Sequence, residues 1–181
     1  MDSQLVIQAQ GGDRSAFGEL AASFGDRLYA VAFRILRDAD LAQDAAQEAI
    51  VSIWRDLRAL REPDRFETWA YRILVRACYR EARRGRTRGP HLYAVPDPSV
   101  EDHAMALANR DELERVFARL TPDQRAVVAL QYYLGMSHPE IADVLDIPVG
   151  TVGSRLHAAK RALRAGLDAD ARTAKAGGRT A

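Results

Sequence analysis

The sequence predicts an all-α protein built as two small helical domains joined by a Pro/Gly-rich linker. Apolar residues recur at helical spacing through long segments, and alternating β-branched runs are absent. Turn formers collect in "GRTRGPHLYAVPDPS", Gly85 to Ser99, which holds three prolines and two glycines. The C-terminal half then writes out two helix starts, "LTPDQR" and "SHPE", and runs into "PEIADVLDIPVGTVGSRL", two short helices broken by a turn. The expected division is a helical domain over 1–88, a linker over 89–99, a second helical domain over 100–167 and a structureless polar tail over 168–181, "DADARTAKAGGRTA".

A chain of 181 residues that is 48% hydrophobic can bury one sizeable core or two small ones. Charged residues make up 28% with a net charge of +1, so a nucleic-acid partner has to be met by local clusters of Arg and Lys. The single cysteine, Cys78, excludes an internal disulfide and a Cys-based zinc site, and it suits a small core position better than a redox sensor. The start, "MDSQLVIQAQGGDRSAF", lacks a basic segment followed by an apolar one, and no stretch approaches bilayer-spanning length. A soluble cytoplasmic protein without membrane insertion is expected.

The first informative helix is "DADLAQDAAQEAIVSIWRDL", Asp38 to Leu57. Asp40, Asp44 and Glu48 share a face with Gln47, while Leu41, Ala45, Ile50, Ile53, Trp54 and Leu57 form the expected buried side. An acidic face with small residues suits a basic protein partner and not DNA. A merely solubilising face accounts for it equally well.

The next, "FETWAYRILVRACYREARRGRTR", carries the opposite sign. Arg72, Arg76, Arg80 and Arg84 recur every four residues and stack along one face, joined by Arg83, Arg86 and Arg88, with Glu81 the one acid between Arg72 and Arg88. This stripe is read as a phosphate track, the alternative being a solvated helix face. Trp69, Ile73 and Ala77 are expected inward. Tyr71 and Tyr79 fall at the borders, where rings can stack on unpaired bases.

Beyond the linker, Thr121 and Gln124 form a capping box with Pro122 at the first helical position, and Ser137 and Glu140 repeat the pattern. Val127, Val128, Leu130 and Leu134 pack the first of these helices, and Ile141, Ala142 and Leu145 the second. Asp146 falls where the chain wants φ > 0, and Pro148 opens a third helix with Val152 and Leu156 inward. Helix, short turn and a second helix with a polar outer face is the geometry that enters a major groove. The outward positions are Val149, Thr151, Ser154, Arg155 and His157, with Lys160, Arg161 and Arg164 beyond them. Three packed helices with a basic solvated face are the plainer alternative. Gly153 weakens the helix interior by about 1 kcal/mol relative to Ala and presents no side chain.

Together these segments resemble the small two-domain extracytoplasmic-function sigma factors of bacterial RNA polymerase, and the likeness covers most of the chain. "AQDAAQEAIVSIW" is similar to the core-polymerase-binding helix, "FETWAYRILVRACYREARR" to the helix that melts and reads the −10 element, and "LTPDQR" through "AAKRAL" to the −35-reading domain. The resemblance implies that Asp40, Asp44, Gln47 and Glu48 dock on core polymerase with Leu41, Ile50 and Trp54 in support. It implies that Trp69, Arg72, Arg76, Tyr79, Arg80, Arg83 and Arg84 follow promoter DNA at −10. Val149, Thr151, Ser154, Arg155, His157, Lys160 and Arg161 then serve at −35, the linker threads toward the RNA exit path, and an anti-sigma protein is an expected partner.

The chain departs from the family pattern at Arg76 and Arg80, where Asn and Asp are common, and at Gly153 and Ala158, where basic residues are frequent. A less electrostatic −35 contact is expected. Two weak readers joined by polymerase into one bivalent reader explain both the low net charge and the glycine. A free-standing helix-turn-helix regulator that binds an operator as a dimer leaves the acidic face unexplained. A helical enzyme lacks a basis: His91, His103, His138 and His157 are scattered, with no HExxH pair, phosphate loop or nucleophile elbow, so no catalytic residue, metal or cofactor is expected.

Overall fold

The computed structural model describes residues 3–85 and 113–177, and these form helices and turns with no strand. The linker, Arg86, Arg88, His91 and His103 lie outside the described residues. The first helix, α1 (Ser3–Gln10), ends at Gly11 and Gly12, the latter at φ 97. Asp13 then caps α2 (Arg14–Leu36) by accepting from the amides of Ser15 and Ala16. Arg37 closes α2 in the left-handed region, and Asp38 caps α3 (Ala39–Asp56) through the Leu41 amide at 3.0 Å. After α3 come a 3-10 turn at Leu57–Ala59 and another at Pro63–Arg65, then α4 (Phe66–Gly85). α2, α3 and α4 pack mutually, and α1 lies on α2.

The core of this bundle is aromatic at one end. The Phe24 ring of α2 meets Phe66 at 5.6 Å and Tyr71 at 5.1 Å, all three buried. Tyr71 is therefore a core residue and not a border one, and burial raises its phenol to about 12. Cys78 is also fully buried, which pushes its thiol up to about 12 and leaves it neutral.

Residues 113–118 form a helical stretch, α5. α6 (Pro122–Val128) follows, continues through a π turn at Ala129–Tyr133 and stops at Gly135, φ 69. The Thr121 capping box is present in both directions, Gln124 N–H to Thr121 at 3.3 Å and Thr121 N–H to Gln124 at 3.0 Å. At α7 (His138–Leu145) the Ser137–Glu140 capping box is also present, and the Glu140 carboxylate accepts from both the amide and the hydroxyl of Ser137, which holds its pKa below the usual carboxylate value. Asp146 takes the left-handed turn at φ 56, and α8 (Val149–Gly177) places Val152, Leu156 and Ala159 in the core.

The expectation of a structureless tail from Asp168 is corrected: α8 runs on to Gly177. Alanines in "DADARTAKAG" favour the helix, and Asp170 meets Arg119 at 2.9 Å. Gly166 allows α8 to cross α5, since a Cβ there would lie 2.5 Å from Val116.

Candidate functional site

The acidic face of α3 is as expected at its centre and different at its rim. Asp40, Asp44 and Gln47 are exposed, Glu48 is partly so, and Leu41 and Ile50 are half-buried beneath them. Trp54 was expected on the buried side. It is 42% exposed and stands on the helix flank against the Phe17 ring at 4.6 Å. Position 54 lies one residue, or 100°, past the fully inward Ile53, and α2 covers only one edge of the indole. Sequence reasoning missed Val51, which is 57% exposed beside Trp54. Its signal was present, because Asp44, Gln47, Glu48 and Val51 follow helical spacing along one face. A groove of about 570 Å³ runs along them, closed on its other side by Glu81 and Arg84.

The α4 stripe is not free cationic surface. Arg80 pairs with Glu48 at 2.7 Å, Arg84 with the buried Glu81, and Arg76 with Asp146 at 3.3 Å, while Arg72 donates to the Asp143 carbonyl at 2.8 Å. Arg65, which the sequence reading did not single out, pairs with the Asp143 carboxylate. Arg83 is exposed on this face. The count of one acid against seven bases misses Glu48 of α3 and Asp146 after α7, which are distant in sequence and pair with Arg80 and Arg76. Tyr79 is half-buried near Asp123 and Arg155, and burial raises its phenol well above the ordinary value. Trp69 and Ile73 are half-buried and only Ala77 fully so.

Trp69 instead forms part of a cavity. About 230 Å³ lies between the loop that precedes α4 and the first turns of α4, walled by Leu60, Arg61, Glu62, Arg65, Trp69 and Arg72. The loop residues of this wall carry no periodic signal, so no local pattern in the sequence points to them.

On α8, Val149, Gly150, Ser154, His157, Lys160 and Arg161 are exposed, and Thr151 is half-buried. Arg155 leans away from that outer face to pair with Asp123 at 3.3 Å, and Lys160 lies over the Tyr132 ring. Gly150 and Gly153, three residues apart, share the outer face, and a Cβ at either would meet nothing within 4 Å. The glycines therefore do not serve packing inside the chain; they leave the backbone bare on the side that faces out.

Two family models match: Sigma-70 region 2 over residues 20–88 and Sigma-70 region 4 over residues 110–163. The chain is 33% identical to the RNA polymerase sigma-H factor of Pseudomonas aeruginosa, over 90% of this chain and 91% of that protein. The chain belongs to the sigma-70 family, among its extracytoplasmic-function members. It is also 29% identical to the ECF sigma factor SigW of Bacillus subtilis, over 91% and 95% of the two chains. Among solved structures it is similar to CnrH in complex with the cytosolic domain of CnrY, with a TM-score of 0.69, 29% identity and coverage of 93% of this chain and 98% of that one. The sigma factor RpoE of Bartonella quintana, solved with the anti-sigma factor NepR, shares the fold at a TM-score of 0.68 and 23% identity, over 85% and 98% of the two chains.

As a sigma factor the chain is a promoter-specificity subunit; the free-standing operator-binding regulator is not favoured. Sigma factors are not enzymes as a family. Among the described residues no side-chain cluster suits a metal ion, and no helix is long and apolar enough to cross a membrane.

Proposed function

We propose that this sigma factor acts in the cytoplasm, without catalysis of its own, by docking α3 on core RNA polymerase and presenting two individually weak DNA readers, α4 with its cavity at −10 and α8 at −35. The observation that carries this reading is the neutralised stripe. Arg76, Arg80 and Arg84 each pair with a carboxylate of the same chain and Arg72 is held by the Asp143 carbonyl, so DNA has to compete for these four side chains in the free protein. Residues 1–88 form the polymerase and −10 unit and 100–167 the −35 unit. The docking face combines Asp40, Asp44, Gln47 and Glu48 with Val51 and Trp54, and an exposed tryptophan is the kind of anchor that interface cores use.

At −10, the Trp69 indole and the guanidinium groups of Arg65 and Arg72 wall a cavity suited to an unpaired base, by stacking and by bonds to its edge. At −35, Thr151, Ser154 and His157 face the groove, Val149 borders it, and Arg161 and Lys160 hold phosphates. The likeness to CnrH and RpoE, each solved with a protein partner, supports an anti-sigma protein as a further partner.

Purified chain added to core polymerase is expected to yield specific run-off transcripts from a matching promoter, and absence of any polymerase-dependent transcript would end this reading. The pairs that cover the α4 stripe have side chains 40–76% exposed where they involve Arg76 and Arg80, so each contributes at most about 1 kcal/mol. Asp143→Asn with Asp146→Asn removes the carboxylates that pair with Arg65 and Arg76 and is therefore expected to strengthen binding of free protein to single-stranded −10 DNA by several-fold, measured by fluorescence anisotropy. Unchanged affinity would show that these two carboxylates do not compete with DNA for Arg65 and Arg76.

Gly153→Lys tests the −35 assignment. Because the site is open, the side chain fits, and the polymerase–promoter complex is expected to gain about one phosphate contact in its salt dependence. An unaltered salt slope and affinity would place Gly153 away from DNA.

A further inference from the structure

The wall of the −10 cavity is a short loop with little burial of its own. Between α3 and α4 only Leu57 is buried, while Arg58, Ala59, Arg61, Glu62, Asp64 and Arg65 are exposed. Such a segment is expected to sample many conformations unless its backbone is tied down. The tie comes from outside the loop. Gln10, the last residue of α1, donates from its carboxamide nitrogen to the Leu57 carbonyl at 3.1 Å and to the Leu60 carbonyl at 2.7 Å. These two carbonyls bracket the 3-10 turn, and the Leu60 amide itself bonds back to Leu57. One side chain thus sets the direction in which the chain leaves the turn and enters the cavity wall.

A second contact repeats the arrangement at the far end. Ser3 of α1 donates to the Asp64 carboxylate, and Ser3 and Gln10 stand about 10 Å apart along the helix axis. α1 therefore spans the loop and grips both ends. It is itself anchored by Val6 and Ala9, which are buried against the bundle. α1 also lies outside the segment, residues 20–88, that the region 2 family model matches.

We propose that Gln10 is a positioning residue for −10 recognition: it holds the Leu60–Arg65 loop in the form that leaves the cavity beside Trp69 open for an unpaired promoter base. The proposal rests on the reading of that cavity as a base site. Its consequence is that base selectivity depends on a residue outside α4 and outside the cavity lining. A carboxamide is required, because a carboxylate of the same shape would set acceptor oxygens against two carbonyls and lose both bonds.

The test uses the full chain with core polymerase and a promoter carrying 2-aminopurine at each −10 position in turn. Initiation is measured on the native promoter and on promoters with single −10 base changes. Gln10→Glu and Gln10→Ala are expected to reduce discrimination between native and altered −10 bases by about tenfold and to lower the 2-aminopurine signal, with polymerase affinity and helical circular dichroism unchanged. Ser3→Ala, which loosens the other end of the grip, keeps the test available if a Gln10 variant folds poorly and is expected to shift the same readouts in the same direction. Trp69→Ala reports on the cavity reading separately. Loss of discrimination in Trp69→Ala with none in either Gln10 variant would overturn the positioning role alone. Full discrimination in Trp69→Ala would overturn the base site and the proposal with it. Reduced thermal stability with selectivity intact would make Gln10 a structural residue only and so also contradict the proposal.

Discussion

Asp44→Lys together with Glu48→Lys is expected to weaken binding to core polymerase by about 30- to 700-fold, which corresponds to about 2–4 kcal/mol across two reversed interface charges. Both residues lie on the outer face of α3, along the groove that Gln47 and Val51 also line. Their removal costs the fold little. The one ion pair lost is Glu48 with Arg80, whose side chains are 40% and 44% exposed, and pairs of that kind contribute at most about 1 kcal/mol. A matched reversal at Glu19 and Asp26, exposed on α2, changes the net charge equally and is expected to leave polymerase affinity within a few-fold of the parent. Wild-type-like binding by the Asp44/Glu48 variant, measured by competition for labelled polymerase, would remove the docking assignment.

Phe24→Ala is expected to destabilise the chain by about 3–5 kcal/mol in urea unfolding, the range for truncating a large buried aromatic. Phe24 is 2% exposed and its ring contacts Phe66 and Tyr71, the residues that seat the first turns of α4 in the bundle. The cavity wall residues Trp69 and Arg72 ride on those same turns. Loss of this ring is therefore expected to act on the proposed −10 reading through packing, by loosening the seat of α4 and with it the cavity wall. Total stabilities of 5–15 kcal/mol are usual for proteins of this kind, so a large share of the margin goes. A loss below about 1 kcal/mol would mean that the bundle does not depend on the cluster.

Local chemistry in the sequence was a good guide to α6, α7 and the turn after them. Thr121 and Gln124 lie three residues apart and cap each other directly, and Asp146 takes the left-handed conformation that the end of a short helix demands. Periodicity located Ala45, Ile53, Ala77 and Cys78 in the core for the same reason, because an inward stripe is a property of one helix. It did not reach Trp54 or Tyr71. Each sits near the edge of its stripe, where burial depends on which neighbour happens to cover that flank. Charge counting along α4 did not show which of its arginines have partners within the chain. The carboxylates of Glu48 and Asp146 lie 32 and 70 residues from Arg80 and Arg76, and the Asp143 carbonyl lies 71 from Arg72, beyond any window in which a sequence pattern is visible. The Gln10 contact to Leu57 and Leu60 was hidden in the same way, across separations of 47 and 50 residues.

On the proposed reading, the paired stripe on α4 and the bare, glycine-bearing face on α8 would each gain little from DNA alone, and linkage through polymerase would supply the missing affinity as effective concentration. The most direct measurement is the dissociation constant of the full chain for a native promoter duplex against a scrambled one, with and without core polymerase, at physiological salt. The chain alone is expected to bind both duplexes equally and no tighter than about 1 μM, as non-specific binders do, and to discriminate between them only when polymerase is present. Nanomolar, promoter-selective binding by the chain alone, unchanged when polymerase is added, would contradict the account.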